Sequence, residues 1–196
     1  HDNLNARSLT GHQTLIGGSG RDNLHATGQN VTLDGGSNPD TLRAEGRIYK
    51  SSQWQYTQNG NASLQGGDGT DTLSATSYSS AELNGGSGDD TLLSGTTSRW
   101  DGGYQDKSVQ NARLFGEEGN DQIQAYVYGD SERYTGGDLN LDQSVLLDGG
   151  AGNDNLRANH SYSSKQYGNT KINAKGGEGN DSVNIWSGYT YSGGIT

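Results

Sequence analysis

Eight aspartates stand at one phase of a glycine-rich pattern: Asp2, Asp22, Asp40, Asp71, Asp90, Asp121, Asp154 and Asp181. Five copies read Gly-Gly-x-Gly-x-Asp-x-aliphatic: GGSGRDNL (17–24), GGDGTDTL (66–73), GGSGDDTL (85–92), GGAGNDNL (149–156) and GGEGNDSV (176–183). Two depart from it: GGSNPDTL (35–42) carries Asn38-Pro39 among the glycines, and GEEGNDQI (116–123) carries Glu117 in place of one. His1-Asp2-Asn3-Leu4 matches the second half of an eighth copy, so the chain reads as a piece of a longer array.

The chemistry open to such a row is the holding of a hard cation. Glycine admits positive φ and lets successive carbonyls be aimed at one point. The aspartate at the end of the turn adds a carboxylate. Calcium takes about six to eight oxygens at about 2.3–2.6 Å in flexible geometry. Besides the aspartates, the candidate ligands are Gly17, Gly18, Gly20, Gly35, Gly36, Gly66, Gly67 and Gly69. The later turns supply Gly85, Gly86, Gly88, Gly116, Gly119, Gly149, Gly150, Gly152, Gly176, Gly177 and Gly179. Stacked turns lie about 4.8 Å apart, so an ion between two of them can draw oxygens from both. Eight turns would enclose about seven ions, or about five if the two irregular turns fail. Seven ions would carry the formal charge from −10 to about +4. Gly-Gly and Asp also make ordinary tight turns, but ordinary turns would not hold one carboxylate phase over eight copies.

Composition fits that chemistry. Of 196 residues, 28% are apolar and 33 are glycine, with one proline and a mean hydropathy of −0.91. Alone, such a composition approaches disorder, yet a disordered segment has no reason to keep register. So little apolar material leaves stability to another source, and bound metal is the natural candidate. A charge of −10 argues against nucleic acid and anionic membranes as partners. There is no cysteine, which rules out disulfides and thiolate zinc sites. No apolar run approaches a membrane span.

The elements that position the turns follow from the spacing. The aspartates are 20, 18, 31, 19, 31, 33 and 27 residues apart, the differences of their numbers. The short step is the size of one solenoid rung made of two turns and two strands. Two residues past each aspartate stands Leu4, Leu24, Leu42, Leu73, Leu92, Ile123, Leu156 or Val183. Two further on stands Ala6, Ala26, Ala44, Ala75, Ser94, Ala125, Ala158 or Ile185. A spacing of two puts both on one side of a strand. Before each glycine pair, Leu15, Leu33, Leu64, Leu83, Leu114, Leu147 or Ala174 marks the returning strand. These rows predict a narrow core between two parallel sheets over residues 1–196, one all-β domain with rungs of about 18 residues. The extra residues of the long steps fall in 45–63, 95–113, 126–146 and 159–173, on the side opposite the Gly-Asp turns.

The pattern resembles the RTX, or hemolysin-type, calcium-binding nonapeptide repeat. The resemblance runs over the turns and the strand after each, along nearly the whole chain. It implies a right-handed parallel β-roll, calcium between adjacent turns, secretion to a calcium-rich exterior, and folding driven by the metal. Arrays of this kind usually carry a motif in both half-turns. Here alternate half-turns match, so a single ladder of ions is expected.

Outside the turns, His1, His12, His25 and His160 are scattered, and no isolated pair of carboxylates suggests catalysis. The long insertions and the C-terminal stretch hold Trp54, Tyr56, Trp100, Tyr126, Tyr128, Tyr162 and Trp186. These aromatics either fold back to supply missing core or stack on a ligand such as polysaccharide or cell-surface glycan. The functional expectation is a non-enzymatic, calcium-folded extracellular module that binds or presents. The alternatives are a non-catalytic module of a secreted polysaccharide-acting enzyme, similar to those of alginate epimerases, and a calcium-stiffened spacer or export signal.

Overall fold

Alternation at period two, broken by glycine turns, gives strands and no helix among the described residues. In the computed structural model these are β1 (Asn3–Arg7), β2 (His12–Ser19), β3 (Asn23–Thr27), β4 (Asn30–Ser37), β5 (Thr41–Glu45), β6 (Arg47–Lys50), β7 (Gln53–Tyr56), β8 (Asn61–Asp68), β9 (Thr72–Thr76) and β10 (Ser80–Ser87). The chain continues through β11 (Thr91–Ser94), β12 (Arg99–Trp100), β13 (Gly103–Tyr104), β14 (Asn111–Glu118), β15 (Gln122–Gly129), β16 (Gln143–Ala151), β17 (Asn155–Tyr162), β18 (Thr170–Glu178) and β19 (Ser182–Ser187). The structure describes residues 1–8, 11–50, 53–56, 60–76, 78–95, 99–100, 103–104, 109–129, 142–162 and 169–187. For 47–50, 53–56, 99–100, 103–104, 128–129, 161–162 and 187 it describes the backbone alone.

Two parallel sheets face each other. One has eight strands in the order β1-β3-β5-β9-β11-β15-β17-β19, the other seven in the order β18-β16-β14-β10-β8-β4-β2. The chain crosses from one sheet to the other at every turn, so each strand pairs with its counterpart one rung away. The register matches the repeat, with Leu24 opposite Leu42, Leu42 opposite Leu73 and Leu92 opposite Ile123. This is a parallel β-roll with about 18 residues per short rung.

The core is the set of rows read from the spacing. Leu24, Leu42, Leu73, Leu92, Ile123 and Leu156 are buried on one sheet; Leu33, Leu64, Leu83, Leu114 and Leu147 meet them from the other. Ala26, Ala44, Ala75, Ser94, Ala125 and Ala158 keep the sheets close. At the last strand the same pattern opens: Val183 and Ile185 are exposed, because β19 has no described neighbour on its far side. Tyr78, between β9 and β10, is fully buried against the core.

The long steps are resolved in two ways. The first two insertions form two-stranded antiparallel hairpins, β6–β7 and β12–β13. The next two begin by lengthening the large sheet, where Val127 pairs with His160 and His160 with Ser187. All leave the roll opposite the Gly-Asp turns.

Candidate metal centre

Each glycine turn joins a strand of the seven-stranded sheet to one of the eight-stranded sheet. The second glycine of the pair adopts positive φ at Gly18, Gly36, Gly67, Gly86, Gly150 and Gly177. The third does so at Gly20, Gly69, Gly88, Gly119, Gly152 and Gly179. The requirement is steric as well as torsional. A Cβ on Gly36, Gly67 or Gly86 would collide with the backbone carbonyl of the equivalent residue one turn below. The irregular turns keep this backbone. Asn38 and Glu117, in the glycine positions, both have φ of +78°, and they are the non-glycine residues at positive φ among those described. That value is near the left-handed region that side chains can tolerate. Asn38 also accepts a hydrogen bond from the Gly20 N–H at 3.1 Å, and Glu117 accepts one from the Asn84 amide.

The aspartates form a buried ladder. One carboxylate oxygen of each accepts the backbone N–H of the aspartate in the preceding turn. Asp2 donates to Asp22 at 2.5 Å, Asp22 to Asp40 and Asp40 to Asp71 at 2.7 Å, and Asp71 to Asp90 at 2.8 Å. Asp90 donates to Asp121 and Asp121 to Asp154, each at 2.8 Å, and Asp154 to Asp181 at 3.0 Å. The other oxygen, Oδ2 of Asp22, Asp40, Asp71, Asp90, Asp121 and Asp154, is buried with no hydrogen-bond donor.

Those six oxygens all face the first glycine of their own turn. A Cβ built on Gly17 would lie 2.7 Å from Asp22 Oδ2 and 2.7 Å from the Gly35 carbonyl oxygen. On Gly35 it would lie 2.5 Å from Asp40 Oδ2 and 2.7 Å from the Gly66 carbonyl oxygen. The same pairing recurs at Gly66 with Asp71 and Gly85, at Gly85 with Asp90 and Gly116, at Gly116 with Asp121 and Gly149, and at Gly149 with Asp154 and Gly176. A carboxylate oxygen of one turn and a carbonyl oxygen of the next thus share one small cradle, and the absence of a side chain on the first glycine keeps it open. Among the described residues there are six such cradles. At the N-terminal end Asp2 donates to Asp22, and Asp181, in the last turn, offers Oδ1 to Asp154.

Electrostatics marks the same row. Burial pushes the carboxyl of Asp90 up to about 7, and those of Asp71 and Asp121 up to about 6. Asp40 and Asp154 are raised for the same reason. The backbone N–H bonds pull each down and neighbouring aspartates push each up, so the row concentrates negative charge out of water. A buried carboxylate oxygen that faces a carbonyl oxygen and has no donor beside it calls for a cation. The donor set is all oxygen, which suits calcium rather than a soft metal. Among the described residues no three carboxylate or imidazole side chains gather at one point. One carboxylate per turn is the design, and carbonyls must make up the rest.

The sequence positions divide accordingly. The first glycine of each pair lines the cradle, while the second and third shape the turn and admit the carbonyl of the turn below. A second ladder was not foreseen. Asp89 Oδ1 accepts the Asn120 N–H at 2.7 Å, and Asn120 and Asn153 accept the N–H groups of Asn153 and Asn180 at 2.9 Å. It runs on the exposed side, with polarity opposite to the aspartate ladder. Its sequence signal is the Gly-Asn-Asp recurrence at 119–121, 152–154 and 179–181. Of the aromatic candidates, Tyr126 is half-buried and Trp186 is exposed at 57%. The side chains of Trp54, Tyr56, Trp100, Tyr128 and Tyr162 lie outside the described residues.

A two-sheet parallel roll with one glycine-aspartate turn per rung defines a calcium-binding repeat module. The chain carries RTX calcium-binding nonapeptide repeats: four copies match that family, at residues 10–46, 56–77, 82–96 and 145–159. No curated protein and no solved structure matches it. RTX repeat modules are generally non-catalytic, and proteins that carry them are typically secreted.

Proposed function

We propose that calcium folds this roll, with six ions seated one per cradle. The observation that carries the reading is the row of six buried carboxylate oxygens without donors. Asp22, Asp40, Asp71, Asp90, Asp121 and Asp154 would each give Oδ2. The carbonyls of Gly35, Gly66, Gly85, Gly116, Gly149 and Gly176 would face them from the next turn. A divalent ion there offsets the buried charge and ties two turns together. Each site is made from two rungs, so binding and folding are one event. Chain entropy strongly opposes ordering so apolar-poor a sequence, and six such ties supply what the narrow core does not.

The setting this implies is a secreted module that stays unfolded where calcium is scarce and folds in a calcium-rich exterior. Its role there is binding or presenting, on behalf of a longer secreted protein. Native mass spectrometry tests the seating. Six calcium ions per folded chain are expected, with the count falling by one when a single cradle is filled. A folded chain that carries none contradicts the proposal.

A further inference from the structure

The ladder that ties the turns together is unspent at both ends of the roll, and the two ends are complementary. Each motif aspartate gives its N–H to the carboxylate of the next turn, as Asp154 does to Asp181 at 3.0 Å. Each also accepts, on its own carbonyl, the N–H one residue past the next aspartate, as Asp154 does from Ser182 at 2.7 Å. At the last turn the Asp181 N–H and carbonyl have no such partners among the described residues. At the first turn the lack is the converse. No N–H meets the Asp2 carboxylate, and the Asn3 N–H meets no carbonyl, again among the described residues. What Asp181 lacks, Asp2 and Asn3 hold.

The strands repeat this. β1 and β19 are the outer strands of the eight-stranded sheet, and every pairing in it is parallel, so their far edges have one polarity. Val183 and Ile185 are exposed, where Leu156 and Ala158 one rung back are buried. A further strand in the same register would set an aliphatic on Val183 and a small residue on Ile185. In β1 these are Leu4 and Ala6, themselves half-buried. Arg7 would then lie beside the exposed Trp186, a cation against an aromatic ring.

The turn is open in the same way. The atoms nearest a Cβ on Gly176 all belong to Asp181, whereas each of the six cradles includes a carbonyl of the next turn. The sequence holds the two halves of what is missing. Gly193-Gly194 follow Gly176-Gly177 by 17 residues, with Tyr191 in the core-row place two residues before them; residues 188–196 lie outside the described residues. His1-Asp2-Asn3-Leu4 is the aspartate half. Read one after the other they give Gly-Gly-Ile-Thr-His-Asp-Asn-Leu, one motif with Thr196 at the third glycine. The aspartate step across that junction is 15 residues from Asp181 to Thr196 plus 2 to Asp2, or 17, beside 18 and 19 in the short rungs.

We propose that a second copy of this chain docks at this end. β1 of one copy adds to β19 of another, and the units stack end to end as one continuous roll. The contact is heterologous and does not close, so every assembly keeps one free end of each kind and grows past a dimer. Six divalent ions would bring each unit from −10 to about +2, which removes the repulsion between copies. The proposal rests on the calcium-folded reading above.

The test is sedimentation equilibrium of the protein in calcium over a wide range of concentration, with far-UV circular dichroism of the same samples. Val183→Asp with Ile185→Asp blocks the β19 end. Asn3→Pro blocks the β1 end: the Asp2 carbonyl takes the bond from β3, so the Asn3 N–H points the other way, and proline is tolerated at the start of an outer strand. The wild-type mass should rise from 20.7 kDa with concentration and not stop at a dimer. Each variant alone should associate on the order of tenfold more weakly or worse. The two variants mixed should form a one-to-one dimer and stop there, since each brings the end the other has lost. Three results overturn the proposal in protein that circular dichroism shows folded: wild type that stays a single chain, association that neither variant weakens, or a mixture that does not pair. Protein that calcium leaves unfolded overturns the calcium reading, and this one with it.

Discussion

Replacing Asp90 by Asn should change stability in opposite directions with and without calcium. The substitution keeps Oδ1, the acceptor for the Asp71 N–H, and removes the charge whose other oxygen is buried without a donor. Burial raises the Asp90 carboxyl from 3.8 to about 7 in the roll. A group whose folded value is raised binds protons more tightly folded than unfolded. Metal-free stability is therefore greatest at acid pH, falls as pH rises from about 4 through about 7, and stays low above that. At about 1.4 kcal/mol per pH unit, the charged carboxylate costs the metal-free roll about 4 kcal/mol at pH 8. Asn does not carry that cost, and its Nδ2 has the Gly116 carbonyl within the same cradle. Asp90→Asn should therefore move the pH at which the roll folds in chelator toward neutrality. In calcium it should raise the calcium midpoint on the order of tenfold, because one charged ligand is gone. Far-UV circular dichroism follows both, once against pH in chelator and once against calcium at pH 8. A variant destabilised in chelator as well as in calcium would refute the argument, since the buried oxygen would then be a satisfied acceptor rather than an unopposed charge.

Three further outcomes follow from the same geometry. Gly85→Ala should remove one calcium from the count without a torsional cost, because Gly85 is not at positive φ and its Cβ would enter the cradle, 2.9 Å from the Gly116 carbonyl oxygen; Gly86→Ala, at φ +107° and with its Cβ against the Gly67 carbonyl, should lower stability by more than the torsional cost of about 1–2 kcal/mol, with or without calcium. In wild-type protein the calcium midpoint should rise as pH falls from 8 to 5, since protons compete at Asp71, Asp90 and Asp121; a midpoint flat over that range would argue against carboxylate ligands. Asn153→Ala should cost about 1 kcal/mol in thermal unfolding, having lost the acceptor for the Asn180 N–H and the donor to Asn120, while leaving the calcium count unchanged.

Much of this was legible in the sequence because a solenoid repeats one environment. The leucine two residues past each aspartate faces the core because a strand has period two, and every copy from Leu24 to Leu156 is buried. The exposure of Val183 was not legible: the same pattern position becomes core through a neighbouring strand, and β19 has no described one on its far side. The aspartates were found by phase alone. Which glycine matters to the site was not, since the three look alike in sequence. The distinction appears in what a Cβ would meet: on Gly36, Gly67 or Gly86 the backbone of the turn below, on Gly35 or Gly66 the turn's own aspartate oxygen together with the carbonyl of the next turn. Glu117 looked like a broken turn because glycine's φ is usually irreplaceable, yet the backbone there stays at +78°. Tyr78 gave no periodic signal, as it sits between strands rather than on one. The hairpins depend on pairing within single insertions, with no repeat to reveal them.

The most direct measurement is far-UV circular dichroism through a calcium titration from chelator, at a protein concentration well above the dissociation constant, with magnesium as control. The account predicts a cooperative gain of β signal with calcium alone, breaking at about six ions per chain. A β spectrum already complete in chelator at pH 8, unchanged by calcium, would contradict it.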